Sequence, residues 1–192
     1  MLEEGQVKLE TAIGNMDRSS LELRYRVTNG LEVPILLMTP LSAFEKDTLR
    51  GVPERVYAYV DPEGVLQVTK RLWLIPDDID VVFPEVPFAT EVLPGKAFTE
   101  RLVLRLPIEV ALPYLLDPEE MDKPREVVAG VAGGVVFSVG YLIDENSLLR
   151  VGPAEPESGA SLIVGYGTAA ANQRILQSGL LGIGVPVKDL KR

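Results

Sequence analysis

Three groups of side chains have the types and spacing for chemistry. Asp77, Asp78, Asp80 and Glu85 lie in an acidic, proline-punctuated segment with no Lys or Arg between Arg71 and Lys96. Carboxylates so placed could ligate calcium, a hard cation that prefers oxygen, and two of them could act as the acid pair of a glycosidase. The segment lacks the fixed spacing and glycine of an EF-hand, and nothing singles out one catalytic pair, so a solvated acidic loop is the simpler expectation. Tyr57, Tyr59 and Trp73 form the second group. Their rings could make a platform for an aromatic ligand, or pack on one another across two strands. The third is Gly165-Tyr166-Gly167 ahead of Thr168, which has the outline of a phosphate cradle. It lacks the full G-x-G-x-x-G or P-loop pattern and the lysine, so no nucleotide site is expected.

What is missing narrows the chemistry further. The chain of 192 residues has no cysteine and no histidine. Disulfides, zinc thiolates and thiol nucleophiles are therefore excluded, along with the commonest general base. No catalytic residue can be assigned and no cofactor is expected. A net charge of −9 argues against binding nucleic acid through its phosphates, which needs clustered cations. The opening MLEEGQVKLE has neither a basic region nor an apolar core of the signal-peptide kind, which makes the cytoplasm the expected location. Residues 127–143 carry no charge, but their glycines and valines suit a buried central strand rather than a membrane helix.

The elements that would position these groups read mainly as strands. Leu21, Leu23, Tyr25 and Val27 alternate with Glu22, Arg24, Arg26 and Thr28, the period of a half-buried strand. Asn29-Gly30 then suggests either a type I′ hairpin or, because Pro34 cannot donate to a central ladder, an arch into a second sheet at Val33 to Met38. Gln6 to Ile13 suggests an edge strand, and Ser42 to Gly51 a short helical or looped connection. Arg55 to Val60 and Val65 to Ile75 flank Asp61-Pro62-Glu63-Gly64, a turn sequence. Ala97 to Ile108 alternates as a strand after Pro94-Gly95, and Asp117-Pro118 marks the start of a short helix. Glu126 to Ile143 is a strand that Gly133-Gly134 could break in two. In the tail, Thr168 would cap a helix from about Ala169 to Ser178 that ends at Gly179. Ile175, Leu176 and Leu180 would lie on its apolar face, available to the domain or to a partner.

Three landmarks stand in order: YRVTNGLEVPILL, VYAYVDPEGVL and EVLPGKAFTERLVL. Together they look like an immunoglobulin-like β-sandwich. The order resembles the intracellular proteinase inhibitor domain family and, less closely, the N-terminal domain of pilus chaperones, over roughly residues 20 to 106. The resemblance implies the sandwich fold. No inhibitory residue is carried over, because no matching reactive loop is present.

The sequence therefore predicts a mainly β protein: an antiparallel immunoglobulin-like sandwich over residues 1–151, a linker over 152–161, and a strand-and-helix appendage over 162–192. The expected role is a non-catalytic protein-binding or assembly module with a protein partner or self-association. The alternative is a carboxylate-dependent enzyme, or a calcium- or small-ligand-binding sandwich.

Overall fold

The computed structural model describes residues 6–45, 48–114, 127–145 and 162–190. In chain order the strands are β1 (Val7–Met16), β2 (Ser20–Asn29), β3 (Ile35–Leu37), β4 (Leu41–Glu45), β5 (Thr48–Val52), β6 (Tyr57–Val60), β7 (Leu66–Lys70) and β8 (Phe88–Val92). They continue with β9 (Ala97–Arg105), β10 (Ile108–Glu109), β11 (Val127–Ala132), β12 (Val135–Ile143) and β13 (Leu162–Ile163). A short helix, α1 (Tyr166–Asn172), precedes β14 (Arg174–Gln177) and β15 (Val185–Leu190). The protein is mainly β, and most of its strand pairings are antiparallel.

The alternation of β2 sets one sheet. Leu21, Leu23, Tyr25 and Val27 are buried on one face while Arg24 and Arg26 are exposed on the other. β1 and β9 flank β2, both antiparallel, and Leu23 faces Leu102 as Leu21 faces Leu104. The chain then arches to a second sheet. Asn29 organises that step from a buried position: its amide donates to the carbonyls of Val33 and Val92 at 2.9 Å each, and its Oδ1 accepts from Leu31 N–H. Gly30 N–H donates to Gln6 O at 2.8 Å, and a Cβ on Gly30 would lie 2.5 Å from that oxygen. Of the two readings of Asn29-Gly30, the arch is the one formed, with Pro34 directly before β3.

The second sheet runs β13-β8-β3-β12-β7-β6. Ser138 and Val139 of β12 pair with both β7 and β14, and Tyr141 pairs with both β3 and β14. A strand has two edges, so β3 and β7 must lie end to end along the edge of β12 opposite β14. One core joins the sheets: the β2 apolar face packs with Ile35, Leu37, Val68, Phe137 and Val139. On the far face of the second sheet, Leu36, Met38, Leu72 and Leu142 pack under Val164 and Ala169 of the β13–α1 segment.

Several expectations are corrected. Residues 42–45 and 48–51 are neither helix nor loop; they belong to the antiparallel pair β4–β5, in which Ser42 faces Gly51. The strand expected to reach Ile75 ends at Lys70. The helix expected over Ala169 to Ser178 is α1, capped at Gly165 rather than Thr168 and ending at Asn172 with Gln173 as its C-cap. So short a helix is marginal alone, and Arg174–Gln177 instead satisfies the open edge of β12 as β14. Two pairings, β7 with β12 and β10 with β15, are parallel. The strand over 126–143 is broken at Gly133-Gly134, as its glycines suggest. Residues 162–190 enter the sheets of the same chain: β13 pairs β8, β14 pairs β12, and β15 lies between β10 and β11. The short helix near 118, the segment 148–151 and the linker 152–161 fall outside the described residues.

Candidate functional site

An apolar cleft of about 240 Å³ opens where the β4–β5 hairpin, the loop from Phe83 to Phe88 and β13 meet. Each wall follows from local sequence. Pro84 and Pro87 keep the loop out of the ladder until β8 begins at Phe88, and Leu49 projects from the hairpin. Phe83 is 74% exposed and Leu49 40% exposed, so the cleft has an apolar rim.

The charged groups in its wall are already engaged. Arg55 Nη2 lies 3.1 Å from Glu85 Oε2, and its Nη1 donates to the carbonyl of Ser42. Tyr57 donates to the same Glu85 oxygen at 2.9 Å, while Glu85 N–H donates to Tyr114 Oη at 2.7 Å. Burial, reinforced by the Glu85 charge, raises the Tyr57 phenol far above its ordinary range, so it stays a hydrogen-bond donor. The arrangement gives the cleft a hydrogen-bonded, locally neutral polar corner beside an apolar surface that could accept a hydrophobic group. A second groove of about 550 Å³, bordered by Glu54, Arg105, Glu109 and Lys188, is more open and more polar.

The sequence-derived groups are placed as follows. Trp73 packs edge-on against Tyr57 and Tyr59, with ring centroids 6.3 and 5.8 Å apart, and the Arg71 guanidinium sits 4.4 Å above the indole. The rings are therefore brought together, with one another and a cation as neighbours. Asp77, Asp78 and Asp80 are exposed, whereas Glu85 turns to Arg55 and Tyr57. Among the described residues, no three acids are gathered closely enough to hold a metal ion. Ile175 and Leu176 lie on β14 and Leu180 in the following loop; Leu176 packs on the main core, while Ile175 and Leu180 are exposed.

A network the sequence reading missed lies at the junction of β3, β7 and β12. Lys70 is fully buried, its Nζ 2.7 Å from Glu100 Oε2 and 3.2 Å from Thr39 Oγ1, and it also donates to the carbonyl of Pro53. Tyr25 donates to the same Glu100 oxygen. Burial lowers the Lys70 pKa, and the Glu100 charge opposes that shift. Lys70 on β7 and Glu100 on β9 thus link the two sheets, and neither lines the two cavities described above. A signal was present: Lys70 continues the inward series Leu66, Val68, and Glu100 precedes Leu102 and Leu104 on the inward face of β9.

No protein-family model matches the chain, and no curated protein or solved structure matches it. Among the described residues, no helix is long and apolar enough to cross a membrane.

Proposed function

We propose that this chain is a non-catalytic protein-binding module, built on an immunoglobulin-like sandwich, that uses the apolar cleft as its contact surface. The carrying observation is the cleft itself: an apolar hollow with Phe83 and Leu49 exposed on its rim, and its Arg55–Glu85 pair mutually neutralised. Exposed apolar surface around a hollow is the usual mark of an interaction site, and a buried anchor side chain carries most of the affinity of such contacts. At about 240 Å³ the cleft is of a size to take one anchor side chain, just under the roughly 300–1,000 Å³ of small-molecule pockets. The sandwich half of the proposal is supported by the shared core between the β1-β2-β9 sheet and the β3, β7 and β12 strands.

Affinity capture from native lysate tests this reading. The full chain should recover a specific protein, and a Phe83→Ser/Leu49→Ser variant with unchanged thermal midpoint should recover about tenfold less of it. Equal recovery by the two proteins would refute the cleft as the contact surface.

A further inference from the structure

The cleft's charge surroundings carry the reading one step further. Its Pro-rich wall belongs to the segment leading from Trp73 to β8, and both ends of that segment are tied to the β13–α1 region, which supplies Val164 to the cleft. Ile75 N–H donates to Tyr166 Oη at 2.9 Å, and Val86 packs against the cluster that contains Val164, a cleft residue. Between these anchors stand Asp77, Asp78 and Asp80, all exposed, followed by Val82 and Phe83, which are 82% and 74% exposed. Asp80 is three residues from Phe83, so the chain can separate them by at most about 11 Å. That bound is close to the Debye length of about 10 Å at 0.1 M ionic strength, so the charge reaches the rim at moderate or low salt. No Lys or Arg occurs between Arg71 and Lys96 to offset these carboxylates. Among the described residues that line the cleft, the cation is Arg55, engaged with Glu85; Arg50 follows the lining residue Leu49 on β5.

Resting on the binding reading above, we propose that the cleft's occupant is an extended segment of a partner protein carrying a large apolar anchor flanked by Lys or Arg. The anchor enters the hollow between Phe83 and Leu49, and the flanking cations lie along Asp77, Asp78 and Asp80. A second copy of this chain fits less well. Each copy carries a net charge of −9, and its most exposed apolar side chains, Val82 and Phe83, stand beside the same aspartates. A symmetric contact through this rim would press like charges together.

Fluorescence anisotropy with defined synthetic peptides tests the proposal. The probes are Lys-Lys-Leu-Phe-Lys-Lys, its counterparts with Ser or Glu in place of every Lys, and the anchorless Lys-Lys-Gly-Gly-Lys-Lys. The full-length protein should bind the basic anchored peptide about tenfold more tightly than the Ser peptide, and the Glu peptide least. Phe83→Ser should remove most of the binding of the basic peptide. An Asp77→Asn/Asp78→Asn/Asp80→Asn variant, whose exposed substitutions leave the cleft walls in place, should narrow the basic-to-Ser ratio to about threefold or less, as should raised salt.

Equal binding of the basic and Ser peptides would overturn the charge assignment while leaving an apolar anchor site. Equal binding of the anchored and anchorless basic peptides would overturn the anchor. Absence of binding by every peptide would overturn the inference as a whole, and the capture experiment with Phe83→Ser/Leu49→Ser would still decide the broader reading. A Phe83-dependent dimer in sedimentation would give the cleft to a second copy and likewise overturn it.

Discussion

Lys70 and Glu100 show how a single pair can hold two sheets in place. The Glu100 oxygen that meets the amine at 2.7 Å also accepts from Tyr25 and from Thr39, so three residues on different strands and loops converge on it. Removing the cation would leave a largely buried carboxylate without its counter-charge. Lys70→Met should therefore lower stability by about 3 kcal/mol, and adding Glu100→Leu should recover more than half of that loss. Urea denaturation of the single and double variants decides it; a single variant as stable as the wild type would show that the pair contributes nothing.

The same neighbourhood gives stability a pH dependence. Burial, then the Glu100 charge, lifts the Tyr25 phenol above its ordinary value of 10.0, and burial with the Glu85 charge does the same to Tyr57. In the unfolded chain both release their protons near 10, whereas the folded protein retains them. The folded state thus binds more protons above that pH, and stability should fall as pH rises through the window from about 10 upward. Lys70 acts in the opposite sense, because its lowered pKa means that the folded state loses that proton first. Its contribution ends at the unfolded lysine value of 10.5. Above that value the raised phenols continue to act, and Tyr57→Phe should make the alkaline slope shallower by about 1.4 kcal/mol per pH unit. Denaturation midpoints across the alkaline range would show this, and identical slopes would contradict the assignment. The Lys70–Glu100 pair was legible in principle, since both charges occupy inward phases of alternating strands. The partner of each was not, because strand neighbours far apart in sequence are set by topology.

Among the elements, the arch after β2 is the most exacting. Asn29 ties the arch to Val92 of β8, and Gly30 allows Gln6 O to approach closely enough for β1 to continue along β2. Gly30→Ala would place a Cβ 2.5 Å from that backbone oxygen, which cannot move without parting β1 from β2. The substitution should destabilise the protein by about 2 kcal/mol and raise amide exchange in β1 first. Unchanged exchange in β1 would show that the contact is not needed. Elements with a strong local signature were readable: the β2 and β9 alternation, the turn at Gly64 with φ of 79°, and the break between β11 and β12. β14 was not, because four residues cannot display a period, and its partner strand rather than its own preference makes it extended. Residues 42–45 and 48–51 escaped for a similar reason: the pair is short and mixes polar with apolar positions.

At the scale of the whole molecule, the tail completes the sheets that the rest of the chain begins. β15 fills the space between β10 and β11, and its Val185 and Val187 are buried in the main core. The parallel β7–β12 and β10–β15 pairings have no local sequence signal, since such partners meet only after long connections. The cleft is equally a product of tertiary assembly. Phe83, Leu49 and Val164 come from separate stretches, and none announces the others in the sequence. The acidic segment was visible from composition, but its place beside an apolar hollow emerged only with the fold.

Site-specific photocrosslinking in native lysate, with p-benzoylphenylalanine at position 83 of the full chain, tests the central claim most directly. Position 131 serves as the control, because Val131 is 73% exposed and does not line the cleft. A discrete protein adduct should form from position 83 and none from 131. Adducts of the same size and yield from both positions, or none from position 83, would contradict a binding site at this cleft.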